Sequence, residues 1–228
     1  LLWIFAELTT VFSAILIVLL NAKENITAAI KYVFITSTAM LFSFVGLILL
    51  FAAAKQVNSD ATLNWSELIQ IAPELSSPLL AFSLAFIFLG FAAKSGIAPF
   101  HTWLPPAHSK APSDVSVLLS GSILNIGIYA ILRIYSLSYH TPVHELFSMI
   151  LLVFGLATIG IAALSMVVRT NLKKLIAFSS IEHMGILTVG ISVGAIIWVL
   201  YYSLAHSLAK ALLFFSAGIL HRQYHGIK

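Results

Sequence analysis

The chain has 228 residues, 60% of them hydrophobic and only 9% charged, and a mean hydropathy of +1.03. Soluble domains carry about 25% charged residues, so this composition excludes one and describes an integral membrane protein. The net charge of +4 is spread along the chain without aromatic clustering, which excludes a nucleic-acid interface, and the lack of cysteine excludes disulfides and cysteine-ligated iron–sulfur clusters within it.

The chain opens on Leu1-Leu2-Trp3-Ile4, already apolar and without a basic leader, and is read as an internal piece of a longer protein rather than as a signal peptide. Apolar segments near 1–21, 30–54, 79–107, 114–137, 146–168, 174–194 and 197–220 each approach the ~20 residues that cross a bilayer. The expected fold is therefore all-α and polytopic, with about seven transmembrane helices. The third segment, as one helix, would be about 43 Å long, too much for a hydrocarbon core of about 30 Å. The run Ser95-Gly96-Ile97-Ala98-Pro99 resolves this by breaking it, because a proline disfavours helix at the residue before it. The long connection from Lys55 to Ser77 is expected to hold an interfacial helix at Trp65-Ser66-Glu67-Leu68-Ile69. Asn171, and Ser113 or Asp114, are predicted helix N-caps.

Counting alternate sides through seven spans puts Lys23, Lys110, Arg169, Lys173, Lys174, Arg222 and Lys228 on one side, and Lys55 and Arg133 on the other. The positive-inside rule then starts the chain outside the plasma membrane and ends it in the cytoplasm.

Ionisable residues within the spans are the candidates for function. Lys94 lies at the end of the apolar run Leu79–Ala93, beside the break. A lysine in a span costs about 2.5–3.5 kcal/mol on insertion scales, and a broken helix at that depth marks a transport pathway. Glu7, in the first span, is either an interfacial carboxylate or a buried acid that tunes the proton affinity of Lys94. His206 and Lys210 are four residues apart and share a helix face. His183 is a candidate proton carrier, with Glu182 beside it on a different face. Asn125, at the middle of the fourth span with Ser116, Ser120 and Ser122 nearby, reads either as an interhelical hydrogen-bonding residue or as part of a hydrated path. Lys31 and Arg133 are expected to snorkel at span ends. His101 and His108, and the pair His221 and His225, do not make a metal-site pattern.

The run Lys94-Ser95-Gly96-Ile97-Ala98-Pro99-Phe100-His101-Thr102-Trp103-Leu104-Pro105-Pro106-Ala107-His108-Ser109-Lys110-Ala111-Pro112-Ser113 closely resembles the broken seventh helix of antiporter-like membrane subunits. These occur in respiratory complex I, Mrp-type cation/proton antiporters and membrane-bound hydrogenases. The resemblance extends over essentially the whole chain. Trp3–Thr10 is similar to the fifth helix of that family, Ala28–Tyr32 to the start of the sixth, Asn171–Gly185 to the tenth and Ala205–Leu213 to the eleventh. The form Ile181-Glu182-His183-Met184-Gly185, together with Asn125, most resembles the F-type subunits of hydrogenase-4 and related group 4 hydrogenases.

This resemblance implies part of a larger inverted-repeat fold, residues 1–137 supplying most of the first repeat and 138–228 the start of the second. It implies proton translocation within a redox-driven ion pump, with a Mrp-type sodium/proton antiporter as the alternative. A seven-helix photoreceptor with a lysine in its last span leaves the broken third span unexplained. Glu7, Lys94, His206, Lys210 and His183 would form the proton relay, and Asn125, Ser120 and His101 would line the pathway. Asn125 departs from the complex I pattern, in which a lysine or histidine often stands nearby. The implied partners are the lipid bilayer, other membrane subunits and a peripheral redox arm. No cofactor is expected in this chain; iron–sulfur clusters and, on the hydrogenase reading, a nickel–iron site would belong to partner subunits.

Overall fold

A computed structural model of the chain describes residues 1–19, 22–75 and 78–224. Among these residues there are ten α-helices and no strand: α1 (Leu2–Val18), α2 (Lys23–Val57), α3 (Trp65–Ile71), α4 (Pro78–Ser95), α5 (Leu104–Lys110), α6 (Ser113–Leu118), α7 (Leu124–Ser138), α8 (His144–Val167), α9 (Leu172–Ser192) and α10 (Ile196–Tyr224). Six stretches are long and apolar enough to cross a membrane, and α1 adds a seventh apolar helix of 17 residues. The predicted end of the first span, Ser77 of the long connection, and His225 and Lys228 lie outside the described residues.

Helix α4, the break and α5 form the most deeply buried of these spans. On one side α2 packs along α4, and α1 along α2. On the other, α8 pairs with α9, and α10 covers α9 and α6. Helix α7 packs on α4 and also meets α9, so it stands between the two groups. Large apolar side chains such as Phe34, Leu164, Leu204 and Leu212 point outward from the bundle, where a bilayer would solvate them.

The break has a different local cause from the one expected at Pro99. Helix α4 stops at Gly96, whose φ of +72° is the left-handed conformation that favours glycine. Ile97 N–H donates to Ala92 C=O at 2.9 Å and Gly96 N–H to Ala93 C=O at 3.2 Å, the paired bonds of a Schellman stop. Pro99 follows three residues later and keeps the helix from resuming at once. A short 3-10 turn, Phe100–Trp103, then leads into α5. Protein groups pair with the backbone here: Trp103 Nε1–H donates to Ala93 C=O at 2.9 Å, and Ala98 N–H donates to Thr158 Oγ1 at 3.0 Å. Ile97, Ala98 and Trp103 are all buried, so the break is covered by protein, as non-helical backbone at membrane depth requires.

The fourth span is not the uninterrupted helix its sequence suggests. Leu119–Ile123 forms a π-helical turn between α6 and α7. Of the predicted N-caps, Asn171 accepts from Lys174 N–H at 3.0 Å. Helix α6 begins at Ser113 with no side-chain cap, because Pro112 occupies the cap position and carries no side-chain oxygen. A helix, α3, forms where an interfacial one was expected, and Arg133 stacks its guanidinium 4.0 Å from the centre of the Trp65 ring; Lys31 is exposed.

Several of the basic loop residues are held by contacts between elements. Lys110 pairs with Glu24, and Lys173 donates to Ala111 C=O at 3.0 Å, which unites the starts of α2 and α9 with the α5–α6 turn. Arg133 meets the connection that follows Lys55.

Candidate functional site

Lys94 is fully buried. Side chains on a helix lean toward its N-terminus, and this one leaves the last turn of α4 to reach α1. Its ammonium donates to Ala6 C=O at 2.7 Å and to Thr10 Oγ1 at 2.5 Å. Beyond Thr10 the buried hydroxyls of Ser13 and Tyr32 pair at 2.8 Å, and the Tyr32 ring lies against Trp103 at 4.5 Å. Glu7 points elsewhere. Its Oε1 accepts from Ser37 of α2, and its Oε2 is buried without a hydrogen-bond partner. Glu7 and Lys94 thus flank the same turn of α1 without forming an ion pair; among the described residues the ion pair is Lys110–Glu24.

The second buried lysine, Lys210, is 1% exposed. It donates to Ser179 Oγ at 2.6 Å, with Ile176 C=O at 3.5 Å. The inward stripe of α10 runs Tyr202, His206, Lys210, Phe214, one residue per turn. His206 is 4% exposed, and neither ring nitrogen has a hydrogen-bond partner. The ring of His183, from α9, lies 5.4 Å from it, and His183 Nδ1 is 2.5 Å from the Tyr202 hydroxyl. His108, on α5, is fully buried, stacks on Phe214 at 4.7 Å and has both nitrogens unpaired. Three helices therefore bring three histidines around one lysine. Among the described residues no three His, Asp or Glu side chains are arranged to hold a metal ion.

The π-helical turn lies between the two lysines. A π-turn shifts the ladder by one residue, which leaves room for side chains to share backbone acceptors. Gly121 C=O accepts from Asn125 Nδ2 at 3.0 Å and from Ser207 Oγ at 2.6 Å. Asn125 Nδ2 also donates to Ser207 Oγ at 2.7 Å, while its Oδ1 is buried and unpaired. Ser120 and Ser180 share a hydrogen bond at 2.9 Å, which ties the turn to α9. On the opposite flank Asn125 and Ser122 line a groove of about 390 Å³ with Phe5, Ala6 and Thr9 of α1. Asn125 is thus within one helix turn of Lys210 through Ser207, and shares a groove with the residue whose carbonyl holds Lys94.

The transmembrane family described as NADH:quinone oxidoreductase/Mrp antiporter matches residues 1–227. This chain belongs to that antiporter family. It is 32% identical over 226 residues to a hydrogenase-4 component F homolog of Methylacidiphilum infernorum, covering 96% of this chain and 47% of that protein. It is likewise 32% identical over 230 residues to NADH-quinone oxidoreductase subunit M of Rickettsia felis, covering 98% of this chain and 44% of that one. Among solved structures it resembles a chain of the membrane-bound sulfane sulfur reductase, an archaeal respiratory membrane complex. The TM-score is 0.88 at 25% identity, over 99% of this chain and 46% of that chain. The fold also matches the Mrp complex of Dietzia sp. with a TM-score of 0.84 at 23% identity, over 97% of this chain and 41% of that chain. The chain spans about half the length of the curated relatives it matches. It is a multi-pass membrane chain of the antiporter type, and its structural neighbours are subunits of multi-subunit membrane complexes.

In this antiporter-family chain the expected residues fall into two clusters and an outlier. Lys94 and Glu7 share one neighbourhood; His206, Lys210 and His183 share the other; Asn125 and Ser120 stand between them. His101 stands apart, in the 3-10 turn, where it lines a cavity of about 300 Å³ with Ser165, Arg169 and Lys174 at the more basic end. Sequence reasoning missed His108, whose spacing from the prolines only argued against a metal, and Tyr202. A signal for Tyr202 was present, since it precedes His206 by four residues.

Proposed function

We propose that this chain translocates protons within the antiporter-like subunit of a redox-driven membrane complex. Lys94 stores a proton, Glu7 adjusts its affinity through the electric field rather than by contact, and the Asn125–Ser207 bridge leads toward Lys210, His206 and His183. The observation that carries this reading is the placing of a polar segment, Asn125 and Ser207, between two buried lysines that, among the described residues, make no ion pair. Buried charges without partners are costly and are retained in membranes chiefly for function. Orphaned polar atoms on Asn125, His206 and His108 supply unused donors and acceptors along the route.

On this reading the partners are further membrane subunits and a peripheral redox arm. Iron–sulfur clusters, and a nickel–iron site if the complex is a hydrogenase, reside in that arm. The second half of the inverted-repeat fold continues from residues 138–228. The basic end holding Lys23, Lys110, Lys173 and Arg222 faces the cytoplasm, so the chain starts outside the plasma membrane. The alternative, a Mrp-type sodium/proton antiporter subunit, is favoured by the match to the Mrp fold. Co-purification with redox subunits, or with antiporter subunits alone, separates the two.

The test is Lys94→Met and Lys210→Met in the intact complex in proteoliposomes, with internal pH followed during turnover. Each is expected to abolish coupled proton movement. Pumping at wild-type stoichiometry in both variants would sink the proposal.

A further inference from the structure

Tyr202 is a side chain that the relay described above does not use. It lies one turn before His206, its ring stacks on Trp198 at 4.7 Å, and its hydroxyl is 2.5 Å from His183 Nδ1. That stacking and the helix of α10 fix where the hydroxyl points. Among the described residues the phenol has no other hydrogen-bond partner, and neither has the imidazole.

A neutral imidazole carries one N–H, and the hydrogen bond made by one nitrogen decides which. A phenol is a good donor and a weak acceptor, because its oxygen lone pairs are delocalised into the ring. Tyr202 O–H therefore donates to His183 Nδ1, and the hydrogen of His183 resides on Nε2. We infer that Tyr202 is a positioning residue that locks His183 in the Nε2–H tautomer, so that the histidine meets the His206–Lys210 cluster as a donor and can take its next proton only after the phenol's hydrogen bond is released. This rests on the proton-relay reading and adds a direction to it. When the phenol's hydrogen bond is released, a proton arriving at Nδ1 makes His183 an imidazolium, which passes its Nε2 proton to His206, whose ring lies 5.4 Å away with two unpaired nitrogens. The phenol itself keeps its proton throughout.

The chemistry differs from that of the Lys210 hydrogen bond to Ser179. A serine hydroxyl rotates and serves a lysine as acceptor whichever proton it brings. An imidazole cannot do this: a histidine free to choose its tautomer can present a lone pair where the relay needs a hydrogen. In a hydrolase triad the wrong tautomer costs about 10⁴ in rate. A mixed population here keeps part of the histidines competent and so would cost about twofold to fivefold.

The experiment is Tyr202→Phe in the intact complex, read in two ways. Histidine-selective ¹⁵N NMR is expected to show His183 as Nε2–H in the wild type and as a mixture of tautomers in the variant. Proton uptake in proteoliposomes is expected to fall by about twofold to fivefold, while the thermal unfolding midpoint changes little. His183 unchanged in tautomer, or proton uptake at the wild-type rate, would overturn the inference. Lys210→Met, run alongside, separates the two levels. If Lys210→Met abolishes uptake and Tyr202→Phe does not, the tautomer lock alone is lost; if neither changes uptake, the relay reading falls with it.

Discussion

Lys94 and Lys210 are the same residue type at the same near-zero exposure, yet their surroundings are opposite in kind. Lys94 is gripped by two oxygens of a single helix turn, Ala6 C=O and Thr10 Oγ1, with aromatic and hydroxyl walls beyond them. Lys210 has one short bond, to Ser179, and stands among His108, His183 and His206 from three helices. The first site has acceptors that hold a proton and no second base in hydrogen-bond contact with the lysine, Glu7 being turned to Ser37. The second has several bases whose ring nitrogens are mostly unpaired. Burial alone therefore does not define a relay station; the number of exchangeable partners does. Lys94 suits storage and Lys210 suits exchange.

The sharpest way to break that contrast is to remove a base from the exchange site alone. His206→Ala deletes a ring that contacts His183 and precedes Lys210 by one turn. Positioned acid–base groups contribute about 10²–10⁴ in rate, so proton translocation should fall by about a hundredfold. The Lys94 hydrogen bonds should be untouched, which a structure of the variant would show. An unaltered rate would mean that Lys210 exchanges without the histidines, and the distinction drawn between the two sites would be lost.

A glycine on the storage side gives the next largest effect. At Gly127 of α7, a Cβ would stand 2.7 Å from Phe91 C=O and would collide with the Ser95 side chain. Gly127→Ala should therefore push α7 away from the end of α4 and cost about 1–3 kcal/mol, as overpacking does. Thermal unfolding of the complex measures this. At Gly121, in the π-turn, the nearest atom to such a Cβ is Ser207 C=O at 3.6 Å, so Gly121→Ala should be tolerated there. Equal losses at the two glycines would contradict the close approach of α7 to the break.

What the sequence made legible follows from the kind of physics involved. Spans are announced by apolar runs of bilayer length, and the order of the long helices follows from them, whereas the division of the fourth span into α6 and α7 does not. Of the basic loop residues assigned to one side, Lys110 and Lys173 are drawn together at the α5–α6 turn, through Glu24 and the Ala111 carbonyl. Lys94, Lys210 and His206 were legible because their polarity is conspicuous in an apolar run. The π-turn was not, since Leu118-Leu119-Ser120-Gly121-Ser122 is compatible with an ordinary helix and only the packing against Ser180 and Ser207 reveals its use. The stop at Gly96 was credited to Pro99 because a proline is the louder signal, although the left-handed glycine forms the hydrogen bonds that end the helix. His108 was hidden by its context: the Pro105-Pro106 pair advertises a turn, and nothing local tells that the ring reaches Phe214, more than a hundred residues on. The Glu7–Lys94 pairing was an inference from charge, whereas the structure satisfies Lys94 with neutral oxygens and hands one carboxylate oxygen of Glu7 to Ser37.

A milder test compares the acceptors of the two lysines. Thr10→Val is nearly isosteric and deletes one of the two acceptors of Lys94; Ser179→Ala deletes the short acceptor of Lys210. Hydrogen bonds to charged groups contribute about 1.5–3 kcal/mol, so Thr10→Val should lower stability by about that much. Ser179→Ala should cost less than Thr10→Val and alter the proton-transfer rate more, because at the exchange site other bases remain within reach. The reverse ordering of rate effects would show that storage, not exchange, limits turnover.

The smallest effect belongs to a charge that lies outside the membrane spans altogether, and it is the control for both buried sites. Glu67 accepts from the Thr62 hydroxyl at 2.5 Å, from Asn64 Nδ2 at 3.1 Å and from Thr62 N–H at 3.2 Å. The Thr62 hydroxyl, followed by the Asn64 amide and the Thr62 N–H, holds its carboxyl below the usual glutamate value. A carboxyl with a lowered folded pKa adds stability that is fully present above its unfolded value and disappears as pH falls through the folded one. The turn at 62–67 and the start of α3, which carries Trp65 to Arg133, should thus loosen only on acidification below the ordinary carboxylate range. Hydrogen exchange at residues 62–71 should rise there in the wild type. In Glu67→Gln it should be raised at every pH, with the acid step gone. Because Glu67 is only partly buried and its partners Thr62 and Asn64 are exposed, water screens much of its field, and the change should stay local and leave proton translocation unaltered. An acid step that persists in Glu67→Gln would assign it to another group, and loss of translocation would show that this rim is coupled to the buried lysines after all.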